Sequence, residues 1–259
     1  MSKWQTKEGQ FASWDGTEIF YRSWSTPEST DKALIFLHRG HEHTGRITQQ
    51  VEEFGMTDFR AFSWDIRGHG HSPGPRGYTE NYYDHVRDLD AFARYICTEY
   101  NIPVENMALV ANSIGAVTAS AWVHDFAPRI RAMVLAGDKL FAVGPPDVVD
   151  PDDPLAAFFR IMLYVPFAIP GLRLLQKIKP RANISSYVKS KMLTHDTEQM
   201  RKYDQDELIT RNIAVNVLLG LHDLATRILA DAGAITTPTL IVSAGSDWVV
   251  KNAAQRQFF

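Results

Sequence analysis

Ala33-Leu34-Ile35-Phe36-Leu37 is an unbroken apolar run no longer than a strand. A strand with one wet face alternates apolar and polar residues, so a run without alternation needs cover on both faces. Met107–Val110, Ala132–Leu135 and Pro238–Ser243 read as further strands, and Phe59–Trp64 as another. Between them Tyr83, Val86, Leu89, Phe92, Ile96 and Tyr100 recur at helical spacing, which predicts an amphipathic helix ended by Asn101-Ile102-Pro103. Gly115–Phe126 predicts a second helix, stopped by Pro128. The start differs: Gln10–Ser13 and Glu18–Trp24 flank Asp15-Gly16, the turn signal of an antiparallel hairpin. Strands alternating with helices after such a hairpin give an α/β class, a mostly parallel sheet with helices on both faces. Residues 138–225 break the alternation and are expected to form an inserted helical cap, with 1–137 and 226–259 making the core.

Composition narrows the function. At 45% hydrophobic and 22% charged residues, the 259-residue chain has the balance of a globular protein. A net charge of −3 argues against nucleic acid as a partner. Cys97 is the single cysteine, which excludes an internal disulfide and a cysteine-rich zinc site. Met1–Lys7 lacks the apolar stretch of a secretory signal, so the expected location is cytoplasmic.

Chemistry concentrates at Leu109-Val110-Ala111-Asn112-Ser113-Ile114-Gly115-Ala116, where an apolar strand runs through a serine directly into a helix. That context gives a G-x-S-x-G-like pattern its meaning. Small residues flank the serine because the sharp turn presses them against neighbouring strands. Ala111 stands where the first glycine is usual. The Ser113 hydroxyl would sit at the carboxyl edge of the sheet, and the Ile114 amide, at a helix start, can face a developing oxyanion. A serine that merely caps a helix is the competing reading.

Two more segments stand after predicted strands: His38-Arg39-Gly40-His41-Glu42-His43-Thr44-Gly45-Arg46, and Asp65-Ile66-Arg67-Gly68-His69-Gly70-His71-Ser72-Pro73-Gly74. With the serine segment they place three motifs in register. The chain resembles an α/β-hydrolase of the monoacylglycerol lipase and lysophospholipase branch. The resemblance implies the α/β-hydrolase fold, Ser113 as nucleophile, and the Gly40 and Ile114 amides as oxyanion donors, with Arg39 as a substitute for Gly40. Arg39 itself departs from the glycine of the family pattern. His38 and Asp65 are expected to hold loops in place. No cofactor is implied. The histidine-rich loops do not carry the spacing of a metal site, and Gly68-His69-Gly70 lacks the third glycine of a dinucleotide fingerprint.

After the strand run Leu240-Ile241-Val242 comes Asp247, placed where the resembling enzymes carry the triad acid; helix capping is its plainer reading. In this fold a histidine follows the acid, yet the last histidine in the chain is His222. The sequence therefore reads as an N-terminal piece whose last strand and general base lie beyond Phe259, ahead of a fused C-terminal domain. As written it should be a poor ester hydrolase. A non-catalytic binding or regulatory domain, and an amide or aminopeptidase-type hydrolase, are the other readings.

Residues 154–195 contain seven Lys and Arg and no Asp or Glu, leaving −10 on the rest of the chain. The segment is also apolar: Phe158, Phe159, Met162 and Leu163 are expected to line an acyl-chain slot. Its bases suit an anionic membrane surface, each contributing about 1 kcal/mol close to such a surface. Lipid esters are therefore the expected small-molecule substrates.

Overall fold

The computed structural model describes residues 3–136, 168–186 and 188–242. Seven strands form one sheet: β1 (Gln5–Ala12), β2 (Glu18–Ser25), β3 (Ala33–Leu37), β4 (Arg60–Trp64), β5 (Met107–Asn112), β6 (Ala132–Ala136) and β9 (Thr239–Val242). Their spatial order is β1-β2-β4-β3-β5-β6-β9. The pairs β1/β2 and β2/β4 are antiparallel, and every pairing from β4 to β9 is parallel. This is the mostly parallel sheet with an antiparallel opening that the sequence predicts.

β3 lies near the centre and all five of its side chains are buried. Alternation sorts them. Ala33, Ile35 and Leu37 enter one core with Phe62 and Trp64 of β4 and Leu109 of β5. Leu34 and Phe36 enter the other, with Trp4, Trp24 and Val110. Helices α2 (Asp84–Tyr100) and α3 (Ile114–Phe126) cover the first face through Val86, Leu89, Phe92 and Trp122. Helix α1 (Ile47–Phe54) covers the second through Ile47 and Val51.

The insertion contributes α4 (Ala168–Ile178), β7 (Asn183–Ser185), α5 (Thr197–Gln205), β8 (Asn212–Ala214) and α6 (Val215–Ala230). It is not wholly helical, because β7 and β8 pair antiparallel. Helix α6 runs unbroken across position 225, the expected end of the cap, and Leu221, Leu224, Ala225 and Ile228 join the main core. Those residues recur at helical spacing with the core on one side, so α6 is a layer of the core.

Candidate active site

The elbow is built by backbone strain. Ser113 sits between the end of β5 and the start of α3 with φ 54° and ψ −120°. Asn101 and Ala127 also have positive φ but close their helices in the left-handed helical region; Ser113 lies outside it. A side chain in such a conformation costs roughly 1–3 kcal/mol and persists only where its surroundings impose it. Here the Ser113 amide donates to the Ala136 carbonyl at 3.2 Å, at the end of β6. Tyr82 donates to the Ile114 carbonyl at 3.1 Å. Asn112 donates through Nδ2 to the Leu37 carbonyl at 3.3 Å and to Gln50 Oε1 at 3.2 Å.

Close packing explains the small residues. A Cβ on Gly115 would stand 2.7 Å from the Leu37 Cβ and 3.2 Å from the Leu37 and His38 carbonyl oxygens. Only a glycine lets α3 start this close to β3. Ala111 fits without such a conflict, and its methyl is fully buried in the main core. The Gly40 Cα faces Ile114, since a Cβ there would lie 2.9 Å from the Ile114 Cδ1. Gly40, Ser113 and Ile114 are thus brought together. Arg39 is turned aside: its Nη1 lies 3.4 Å from Glu42 Oε1 on its own loop. Asp247 and the slot residues Phe158, Phe159, Met162 and Leu163 lie outside the described residues.

Below these residues the two histidine-rich loops are locked to each other. Asp65, fully buried, accepts from the Thr44 amide at 2.6 Å through Oδ1 and from the His71 amide at 2.8 Å through Oδ2. His38 Nδ1–H donates to the Arg39 carbonyl at 2.7 Å, which leaves Nε2 to accept the Ile66 amide at 3.2 Å. The ring of His69 faces the Gly40 carbonyl at 2.8 Å and the Arg67 carbonyl at 3.0 Å. Burial holds both rings in the neutral form, lowering the pKa of His38 and pushing His69 down to about 4. Among the described residues no group of three or more metal-ligating side chains occurs.

Three features escaped the sequence reading. His85 is buried on α2 beside a small cavity under the elbow, lined also by His38, Ile114 and Gly115, and its pKa falls to about 3 by desolvation. His41 Nε2 lies 2.7 Å from Ser186 Oγ, and the His41 carbonyl accepts from the Thr210 amide at 2.9 Å. His43 Nδ1 accepts from the Gly45 amide at 3.2 Å, so its Nε2–H donates to Asp206 at 3.0 Å. The loop after β3 is therefore tied to the insertion by partners 145 and 163 residues away. Nothing in local spacing announces such pairs.

The model of the family described as "Serine aminopeptidase, S33" matches residues 28–259. The chain belongs to this family. S33 membership agrees with the three-motif resemblance and with the α/β-hydrolase fold. "Uncharacterized protein YnbC" of Escherichia coli is 40% identical over 250 residues, covering 96% of this chain. The chain spans 40% of that relative's length. "Monoacylglycerol lipase" of Mycolicibacterium smegmatis is 24% identical over 251 residues, 96% of this chain and 82% of the relative. Among solved structures, the monoacylglycerol lipase of Paleococcus ferrophilus superposes with a TM-score of 0.74 at 21% identity, covering 93% of this chain and 83% of its own. The two chains share a fold.

Proposed function

We propose that this chain carries the nucleophile and oxyanion loop of a serine carboxylic-ester hydrolase that acts on monoacylglycerol- or lysophospholipid-like substrates. The supporting observation is the strained Ser113 backbone, seated between a buried parallel strand and a helix, with Gly40 against Ile114. A helix cap needs no such strain. Ser113 Oγ attacks the acyl carbonyl while an imidazole takes its proton, and the Gly40 and Ile114 amides donate to the resulting oxyanion. Asp247 orients that imidazole. The alcohol leaves with the transferred proton, and water then releases the acid from the acyl-enzyme.

No histidine follows His222 in these 259 residues, and the proposal names no residue of this chain as the base. Without it Ser113 is a weak nucleophile, and the chain alone is expected to hydrolyse esters poorly. A fluorophosphonate probe applied to the whole gene product should label wild type and leave Ser113→Ala unlabelled. Equal labelling of the two, or none of either, would support a non-catalytic domain. The family's aminopeptidase description favours an amide substrate as second reading. Faster turnover of an aminoacyl amide than of a monoacylglycerol would establish it.

A peripheral membrane position belongs to the same reading. Helix α4 exposes Leu174 and Ile178, at 59% and 75%, close in sequence to Lys177, Lys179 and Arg181. Apolar side chains among bases suit an anionic lipid surface. No helix among the described residues is long and apolar enough to cross a membrane. Sedimentation with phosphatidylglycerol vesicles should fall at high salt and fall again in Leu174→Asp/Ile178→Asp. Binding indifferent to salt and to both substitutions would remove this part of the proposal.

A further inference from the structure

A glycine adopts many backbone angles, so the Gly40 amide keeps one direction only if the chain on both sides of it is held. The near side is held from the core. The Arg39–Gly40 peptide is planar, and its carbonyl accepts from His38 Nδ1–H at 2.7 Å and from the Glu42 amide at 3.0 Å. The far side is held from the insertion. Ser186 Oγ lies 2.7 Å from His41 Nε2, and the Thr210 amide donates to the His41 carbonyl at 2.9 Å. The two groups stand side by side because the Ser186 amide donates to the Arg211 carbonyl at 2.9 Å, carrying the β7/β8 pairing one step past Ser185. The Val188 amide donates to Ser186 Oγ at 3.2 Å, which leaves the hydroxyl hydrogen for His41. At its other end the ribbon meets the loop after β4. The Ala214 amide donates to the Gly77 carbonyl at 2.9 Å, and Asn216 Nδ2 to the Thr79 carbonyl at 2.6 Å. So short a ribbon has little stability alone. Here it joins the two loops under Ser113. His41, Ser186 and Thr210 border a cavity of about 300 Å³, so polar bonds rather than packed side chains hold the loop at this point. The Thr210 hydroxyl is buried without a hydrogen-bond partner, so its grip is the backbone's alone, and Ser186 is the half that a side-chain substitution can remove.

We propose that the β7/β8 ribbon is the clasp of the oxyanion loop, and that Ser186 is the positioning residue through which the insertion sets the direction of the Gly40 amide. This rests on the ester-hydrolase reading, in which that amide donates to the oxyanion. Such a donor works only within about 2.7–3.1 Å of the developing charge, and a misplacement of about 1 Å costs roughly a hundredfold in rate. Ser186 acts on the reaction through His41, so its loss is felt in turnover rather than in substrate binding.

Two measurements on the whole gene product test this: hydrogen–deuterium exchange of the loop, and steady-state hydrolysis of a monoacylglycerol. Ser186→Ala should speed amide exchange about fivefold in a peptide spanning residues 39–46, with the β3 peptide 33–37 unchanged. It should lower kcat about tenfold and leave KM within about twofold. Ser186→Thr, which keeps the hydroxyl, should return both exchange and kcat towards wild type. Loop exchange unmoved in Ser186→Ala would overturn the clasp, whether or not an ester is turned over. Faster exchange with kcat unmoved, or with KM raised in place of a lowered kcat, would overturn the positioning of the Gly40 amide. Ser186→Thr as impaired as Ser186→Ala would overturn the part given to the hydroxyl. A wild type without turnover would overturn the ester-hydrolase reading instead, and the exchange result would still decide the clasp.

Discussion

Ser113 holds its φ of 54° against its own side chain, so relieving the strain should raise stability. Ser113→Gly is expected to increase the unfolding free energy by about 1–2 kcal/mol, read from urea denaturation, because glycine adopts this conformation freely. Unchanged or lower stability would mean that the elbow is not strained. Gly115→Ala should act the other way. Its Cβ would meet the Leu37 Cβ and two backbone oxygens, none of which can swing aside, so a loss of about 1–3 kcal/mol is expected. The two glycine effects differ in kind: one concerns backbone dihedrals, the other space. Both positions were legible in sequence, since an apolar strand, a serine and small neighbours specify the turn that needs them. The hidden features are His85, whose burial depends on α3 and the loop after β3, and the Thr210 hydroxyl, whose solitude depends on the fold around it.

Elements were readable where hydrophobic burial alone decides them. β3 has the bounds its apolar run predicts, and β5, β6, β9, α2 and α3 fall within a residue or two of prediction. The misses share a physical cause. The first half of β1, Gln5-Thr6-Lys7-Glu8-Gly9, has no apolar residue, and its strand state comes from backbone pairing with β2. β7 and β8, three residues each, exist only as each other's partners. The β1–β2 turn owes its position to charge as well. Arg67 donates Nη1 to Asp15 Oδ2 and Nη2 to Asp15 Oδ1 at 2.7 and 2.9 Å. It gives Nε and Nη2 to the two oxygens of Asp88, each at 2.7 Å. Asp88 on α2 is fully buried, so Arg67→Met would leave an uncompensated buried carboxylate. A loss of about 3–5 kcal/mol is expected. The Arg67→Met/Asp88→Leu double variant should recover much of it. A loss below 1 kcal/mol in the single variant would show that the clamp adds nothing.

At the scale of the whole molecule, the two loops under Ser113 are organised around imidazoles that must stay uncharged, which gives the fold an acid weakness distinct from that of its carboxylates. His69 and His85 have pKa values near 4 and 3, and His38 is lowered as well, all through burial. In the unfolded chain each titrates near 6.5. Above that pH neither state binds the proton and the contribution to stability is complete. As pH falls below it the unfolded chain takes up protons that the folded one refuses, so stability declines until the folded value is reached. Each such ring contributes a slope of at most about 1.4 kcal/mol per pH unit. His69 and His85 together would consume a large part of a stability of about 5–15 kcal/mol before pH 4, and His38 acts in the same direction. His124 has the opposite sign and a different window. Asp125 lies 2.6 Å from its Nδ1 and Asp231 2.9 Å from its Nε2, and they raise its pKa. Its contribution is complete below about 6.5 and is lost as pH rises through the raised value. Between pH 6.5 and 5, therefore, His124 adds little to the fall while the buried rings contribute to it, and ordinary carboxylates are still mostly ionised. Urea midpoints converted to free energies across that interval should fall steeply in wild type and by about 1–2 kcal/mol less in His85→Gln. Equal slopes would mean that His85 takes up its proton without unfolding the protein, and that the cavity beneath the elbow is open to water.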